Sequence, residues 1–104
     1  MDHTVIWSPA ALNDVDAIAE YISQDSPVYA AAVVSKIIDV SRKLKLFPSI
    51  GRIVPEIGDV NIRECFVYSY RIIYRITDQT VLIVAVVHGK RLLAPLLDQM
   101  KEAP

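Results

Sequence analysis

The sequence is poor in the residues that mark secreted and membrane proteins. It has a single cysteine, Cys65, which cannot form an internal disulfide, and it opens without the charged and apolar segments of a secretion signal. The longest apolar run, Val81 to Val87, is far shorter than the roughly 20 residues of a membrane-spanning helix. We therefore expect a cytoplasmic protein without disulfides and without a membrane partner.

The motifs of metal and cofactor chemistry are also missing. With two histidines, His3 and His88, and one cysteine, the chain has too few ligands for a zinc site. Neither a Walker A loop nor a dinucleotide-binding glycine pattern occurs. The carboxylates Asp14 and Asp16 have a spacing no more specific than that of a solvated helix face. The sequence predicts no metal and no cofactor.

Length and composition predict one folded domain over residues 1–104. Hydrophobic residues make up 53% of the chain and charged residues 22%, which excludes the disordered and fibrous classes. The net charge of −1 conceals a division along the chain. Residues 1–41 contain one cation and six carboxylates, which gives a net charge of −5. Residues 42–91 contain nine cations and four carboxylates, which gives a net charge of +5. This division predicts a basic face for an acidic partner or, as the alternative, charges that only solvate the domain.

Two long β-prone runs predict a hairpin at the centre of the sheet. Tyr70 to Thr77 and Thr80 to His88 are rich in β-branched and aromatic residues, and only Asp78 and Gln79 separate them. Asp-Gln is not a preferred tight-turn pair, so the register could slip by one residue. With a two-residue loop, four cross-strand pairs share one apolar face: Ile76 with Val81, Tyr74 with Ile83, Ile72 with Ala85, and Tyr70 with Val87.

Two Ser-Pro pairs predict a helical hairpin. Ser8-Pro9 and Ser26-Pro27 each combine an N-cap serine with proline at the first helical position. The helices are expected at about Pro9 to Gln24 and Pro27 to Lys45, before Pro48. Their apolar spacing predicts inward residues Ala11, Leu12, Val15, Ile18, Ala19 and Ile22 in the first helix, and Ala31, Val34, Ile37, Ile38 and Leu44 in the second.

The whole order is β-α-α-β-β-β. A first strand covers His3 to Trp7, and Ile62 to Val67 forms a second hairpin with Tyr70 to Thr77 through the loop Tyr68-Ser69. Phe47 to Asn61 has the prolines and glycines of a loop, with enough isoleucine and valine to lie against the body of the domain. The expected fold is a two-layer α+β domain, with the helices on one face of a mainly antiparallel sheet. The place of the first strand in that sheet stays open.

Strand alternation predicts a polar and aliphatic binding face opposite the helices. Arg71, Arg75 and His88 would lie on it together and could bind phosphate or carboxylate. The alternative is that Glu64, on the same face, pairs with one arginine, while Cys65 points toward the helices as a small core residue. The candidate binding residues are Arg71, Ile73, Arg75, Leu82, Val84, Val86, His88, Lys90 and Arg91.

Four short segments follow the capped helix hairpin: FPSIGR (Phe47 to Arg52), NIRE (Asn61 to Glu64), SYRIIYRI (Ser69 to Ile76) and VVHGKR (Val86 to Arg91). In their order and spacing they resemble the RelE/ParE toxin superfamily, and its ParE branch most closely. The resemblance implies a RelE-like fold and the toxin of a type II toxin-antitoxin module that stabilises a plasmid or chromosome. It also implies a ParD-like antitoxin that wraps the toxin in a hetero-oligomer.

The resemblance leaves two targets and one inactive alternative. RelE-like members cut mRNA in the ribosome, and Arg71, Arg75 and His88 would then be the catalytic residues of a metal-independent endoribonuclease. Such cleavage needs a base, an acid and cations around one phosphate, yet Gly89 stands where the nuclease branch has a tyrosine. A sequence pI near 6.0 also disfavours binding to ribosomal RNA. We therefore favour the ParE-like poisoning of DNA gyrase, with the nuclease and a non-toxic antitoxin-binding module as alternatives.

Overall fold

A computed structural model describes residues 2–90, which form a five-stranded sheet with two helices on one face. The elements are β1 Thr4–Trp7, α1 Pro9–Ser23, α2 Pro27–Lys43, β2 Arg52–Ile53, β3 Ile62–Val67, β4 Tyr70–Ile76 and β5 Thr80–His88. The strands lie in the order β1-β5-β4-β3-β2, and among them only the β1–β5 pair is parallel. The predicted two-layer α+β fold is confirmed, with one short edge strand, β2, inside the predicted loop.

Both helices begin at the predicted serine caps. The Ser8 hydroxyl accepts a hydrogen bond from the Ala11 amide at 3.0 Å, and the Ser26 hydroxyl accepts one from the Tyr29 amide at 3.1 Å. Each bond satisfies an amide that has no partner within its own helix. Because proline needs no amide partner, its place after each serine completes the start. Within residues 2–90, no helix is both long and apolar enough to cross a membrane.

The inward face of each helix differs in part from the predicted one. Leu12 is 52% exposed, and Ala31 and Ile38 also face solvent. The buried side of α2 instead carries Ala30 and Val33, one position before the predicted Ala31 and Val34. Apolar residues occur on both sides of this stripe, so their spacing alone cannot fix the rotation of the helix. The predicted set was wrong at these positions.

The β4–β5 register matches the prediction near the turn and shifts farther on. Ile76 pairs with Val81 and Tyr74 with Ile83, as predicted. An irregularity between Ile73 and Tyr74 then leaves Val84 as an extra residue on β5. The Ser8 hydroxyl donates to the Val84 carbonyl at 3.1 Å, so the start of α1 occupies this bulge.

Beyond the bulge, every β5 side chain changes face relative to the prediction. Ile72 pairs with Val86 and Tyr70 with His88, where the prediction had Ala85 and Val87. A one-residue shift exchanges the two faces of a strand because side chains alternate. The predicted partners Ala85 and Val87 therefore lie on the face opposite the helices.

The sheet carries a buried cluster on each face. The cluster under the helices includes Ile37, Ile72, Tyr74, Ile83 and Val86. The opposite face, which we call the open face because neither α1 nor α2 lies on it, has a smaller cluster. Its members are Val54, Ile62, Ile73, Ala85 and Val87, with Ile57 and Val84 packed against them.

Candidate functional site

A chain of four charged side chains crosses the open face. The Glu64 carboxylate accepts from Arg71 Nη1 at 2.9 Å and from Arg52 Nε. Arg71 also donates to Glu56 through Nη1 and Nη2, each at 3.3 Å. Glu64 is 1% exposed and Arg71 4% exposed, so both charges are removed from water. The alternative in which Glu64 pairs with an arginine is therefore the observed arrangement.

Strand pairing explains why these residues meet. The two-residue loop at Tyr68 and Ser69 pairs Val67 with Tyr70, as predicted, and Tyr68 adopts a positive φ of 53°. Glu64 and Arg71 then fall on the same face of β3 and β4. Arg52 reaches them from the edge strand β2 and also lies over the Phe66 ring, 5.0 Å from its centroid.

Arg75 has different surroundings from Arg71. It stands opposite Ile62 on one side and Leu82 on the other. Its side chain is half-buried, and its Nε is enclosed without a hydrogen-bond partner. Within residues 2–90 no carboxylate forms an ion pair with Arg75. A half-buried cation with unused donors is ready to bind an anionic group.

His88 does not lie with the two arginines. Its ring packs edge-on against the Tyr70 ring at 5.6 Å, and its Nδ1 accepts from the Lys90 amide at 3.2 Å. Both rings line a cleft beside α1, so His88 is on the helix side of the sheet. The predicted grouping of Arg71, Arg75 and His88 on one face was wrong, because the bulge at Val84 shifts the end of β5 by one residue.

The same shift relocates another candidate residue. Val86 is buried under the helices, and its amide donates to Asp14 Oδ2 at 3.0 Å. Ile73, Leu82 and Val84 remain on the open face, with Ile73 fully buried and the other two half-buried. Lys90 is exposed just after β5. Arg91 and the segment Leu92 to Leu97 lie outside the described residues.

Sequence reasoning missed several members of the open face, among them Ala85, Val87, Arg52 and Glu56. Ala85 and Val87 lie on the open face because of the bulge, and no residue type in β5 predicts a bulge there. Arg52 and Glu56 come from the segment predicted as a loop. The only available signal was its content of valine and isoleucine, which indicated that it would lie against the body of the domain.

Cys65 lies on the helix side, as predicted. It is free and packs against the main core. Burial is the largest cause that raises the pKa of its thiol, and the charge of Glu64 adds to it. A protonated, half-buried thiol is a poor nucleophile. Across the part of the chain that the structure describes, no group of three or more His, Cys, Asp or Glu side chains is placed to hold a metal ion.

The chain is similar to known proteins over most of its length. Residues 5–93 match the family described as the ParE toxin of the type II toxin-antitoxin system, parDE. The Toxin RelE2 of Caulobacter vibrioides is 34% identical over 89 residues, covering 85% of this chain and 97% of the relative.

Solved structures share the fold at lower sequence identity. The chromosomal ParDE system of P. aeruginosa superposes with a TM-score of 0.70 at 19% identity, covering 85% of this chain and 97% of that one. A variant of E. coli toxin RelE in the free state gives 0.67 at 14% identity, covering 99% and 100%. The RelBE2 toxin-antitoxin complex of Mycobacterium tuberculosis gives 0.59 at 22% identity, covering 85% and 99%.

Proposed function

Since the chain belongs to the ParE toxin family of type II toxin-antitoxin systems, we propose that it arrests growth by binding DNA gyrase and that a ParD-like antitoxin neutralises it. The observation that carries this proposal is the separation of His88 from Arg71 and Arg75 by the thickness of the sheet. A toxin that acts by binding needs no converging acid and base. A nuclease does.

Metal-independent RNA cleavage requires an acid, a base and cations around a single phosphate. Here Arg71 is buried between Glu64 and Glu56, which neutralise its charge. His88 faces the other layer of the molecule. Among the described residues, the open face offers an anion Arg75, which forms no ion pair, and the solvated side of Arg52. Arginine side chains keep their proton and do not supply general acid-base catalysis, which supports a non-hydrolytic mode of action.

We place the antitoxin on the part of the open face around Arg75. Leu82 and Val84 flank it as half-buried aliphatic residues, and Phe66 is exposed farther along the sheet. An antitoxin segment with apolar anchors and a carboxylate would bury these side chains and pair with the arginine. The acidic group would pair with the accessible part of the Arg75 guanidinium, which has no ion pair to the described residues. The resulting toxin-antitoxin complex is a hetero-oligomer.

We also propose where the protein acts and what its gene module does. A toxin that acts on gyrase and is restrained by an antitoxin would work in the cytoplasm, where gyrase and DNA are found. Loss of the genes would free the toxin as the antitoxin decays, and the module would thereby stabilise the plasmid or chromosome that carries it.

The test uses purified full-length chain in two assays run side by side. Increasing amounts are added to a gyrase supercoiling reaction and to ribosomes translating a defined mRNA, each with and without the antitoxin encoded next to it. We expect saturable loss of supercoiling that the antitoxin reverses, and an intact mRNA. Site-specific cuts in the mRNA would make the protein a ribosome-dependent endoribonuclease. No effect in either assay, with antitoxin binding retained, would make it a non-toxic binding module.

A further inference from the structure

A second surface, separate from the open face, lies where α1 passes the start of β4 and the end of β5. It is a cleft of about 360 Å³ that opens to solvent on the helix side of the sheet. The proposed antitoxin contact around Arg75 does not use it. Its walls include Asp14, Ile18 and Tyr21 from α1, and Tyr70, Val86 and His88 from the strands. We call it the acidic-aromatic cleft.

Asp14 provides a fixed negative charge in this cleft. Its Oδ2 accepts the Val86 amide at 3.0 Å, which holds the carboxylate against the end of β5. This is its only hydrogen bond to the described residues, and no lysine or arginine among them forms an ion pair with it. Because an ionised carboxylate has about four acceptor sites, most of its capacity remains unused. Asp14 can therefore accept a further cationic donor.

Aromatic rings form the wall beside that carboxylate. Tyr21 is 71% exposed, Tyr70 is half-buried, and the His88 ring packs edge-on against Tyr70. Burial raises the pKa of the Tyr70 phenol, with smaller contributions from Tyr29 and Tyr21, so this ring remains neutral. Neutral rings of this kind present a negative face to cations.

The surrounding charge selects the sign of the ligand. Helix α1 carries Asp14, Asp16 and Glu20 and has no lysine or arginine, and Asp14 is the carboxylate that lines the cleft. The nearest cation in sequence among the described residues is the exposed Lys90, two positions after His88. Beside the Asp14 carboxylate an anion would be repelled, whereas a positively charged group would be attracted. An arginine fits better than a lysine, because its planar guanidinium stacks on aromatic rings and still donates to a carboxylate.

We propose that the acidic-aromatic cleft binds an arginine side chain carried on a basic segment of a partner protein. The guanidinium would donate to Asp14 and stack on Tyr21 or Tyr70, while its aliphatic part would pack on Ile18 and Val86. The residues of this cleft are sufficient to form the proposed arginine site. It is independent of which molecule the toxin inhibits and of where the antitoxin binds.

The test titrates ¹⁵N- and ¹³C-labelled full-length chain with the blocked tripeptide acetyl-Leu-Arg-Leu-amide. The matched probe replaces arginine by citrulline, which keeps the shape and removes the charge. We expect NMR shift changes concentrated at Tyr21, Tyr70 and the Val86 amide, with the citrulline peptide binding about tenfold more weakly. Shifts spread along all acidic positions, or equal affinity for the two peptides, would overturn the proposal.

Variants of α1 distinguish specific binding in the cleft from a general effect of the negative charge on the helix. Asp14→Asn keeps an oxygen that can accept the Val86 amide but loses the charge, so affinity for the arginine peptide should fall about tenfold. Glu20→Gln removes the same charge from an exposed site on the same helix and should change affinity less than about twofold. Tyr21→Leu keeps an apolar wall but removes the ring and should also weaken binding. If Asp14→Asn and Glu20→Gln weaken binding of the arginine peptide equally, the binding is a nonspecific charge effect and the proposal is wrong.

One further outcome concerns the chain itself. Arg91 follows the hairpin closely and lies outside the described residues. If the arginine peptide shifts no cleft resonance in the original protein but does so in Arg91→Gln, the cleft serves an arginine of its own chain. That result would overturn the assignment to a partner.

Discussion

Glu64→Gln should destabilise the fold far more than the matched change Glu56→Gln, because of these two carboxylates only Glu64 is buried. Glu64 is 1% exposed and bonds both Arg71 and Arg52, whereas the Glu56 side chain is 41% exposed. A buried charge-assisted hydrogen bond contributes about 1.5–3 kcal/mol. The contact with Arg52 adds less than about 1 kcal/mol, since that arginine is largely solvated. Together these values predict a loss of about 3 kcal/mol in the free energy of unfolding.

The same argument predicts a small change in the free energy of unfolding for the control variant, Glu56→Gln. Glu56→Gln removes one charge from the same network, but water replaces much of what is lost, so we expect a change below about 1 kcal/mol. Urea unfolding followed by far-UV circular dichroism measures both values, and equal slopes against urea would show that the unfolded states are comparable. If the two variants lose the same amount, burial of the pair is not what stabilises it. The role given to Arg71 as a structural residue would then be wrong.

Three further changes test the open face, the cleft side and the core. Arg75→Ala should weaken antitoxin binding by about 1–3 kcal/mol in calorimetric titration, while Lys43→Ala on α2 leaves it unchanged. An unchanged dissociation constant for Arg75→Ala would place the antitoxin elsewhere. His88→Gln should leave growth inhibition largely intact on induction, whereas ribosomal mRNA cuts that disappear in this variant would establish a nuclease. Burial raises the pKa of Tyr74 to about 12, above the value near 10 expected in the unfolded chain, so its contribution is complete below pH 10 and is lost as pH rises toward 12. Relative to Tyr74→Phe, the original protein should lose roughly 2–3 kcal/mol over that interval, and parallel pH curves would contradict this.

Much of the fold was predictable because local signals agreed with the tertiary structure. The serine caps at Ser8 and Ser26 act within one helical turn, so no distant contact is needed to recognise them. The strands of the central hairpin were identified by their β-branched and aromatic residues, which suit a half-buried sheet. The rotation of α2 was not predictable, because apolar residues flank its buried stripe on both sides.

The candidate site was predicted less well because one backbone feature rearranges it. Val84 is the extra residue of a bulge, and its carbonyl accepts a hydrogen bond from Ser8, a residue 76 positions away in the sequence. No pattern within β5 carries that information. The pairing of Glu64 with Arg71 was available from strand alternation, but the contribution of Glu56 depends on how the segment after β2 returns over the sheet.

The bulge also limits how a partner can bind this protein. It moves Ala85 and Val87 onto the open face, where they pack with Val54 and become core, so the surface left for a partner lies around Arg75 and Leu82. That surface is basic, and the acidic-aromatic cleft is on the other side of the sheet. A single compact domain cannot contact both, because the sheet stands between them. A partner that does so must pass around the end of the hairpin as an extended segment that orders on binding. In that case the losses caused by Arg75→Ala and Asp14→Asn should add in one titration with the antitoxin, since the two sites share no contacts. If Asp14→Asn leaves antitoxin affinity unchanged while it abolishes binding of the arginine peptide, the cleft belongs to a second partner.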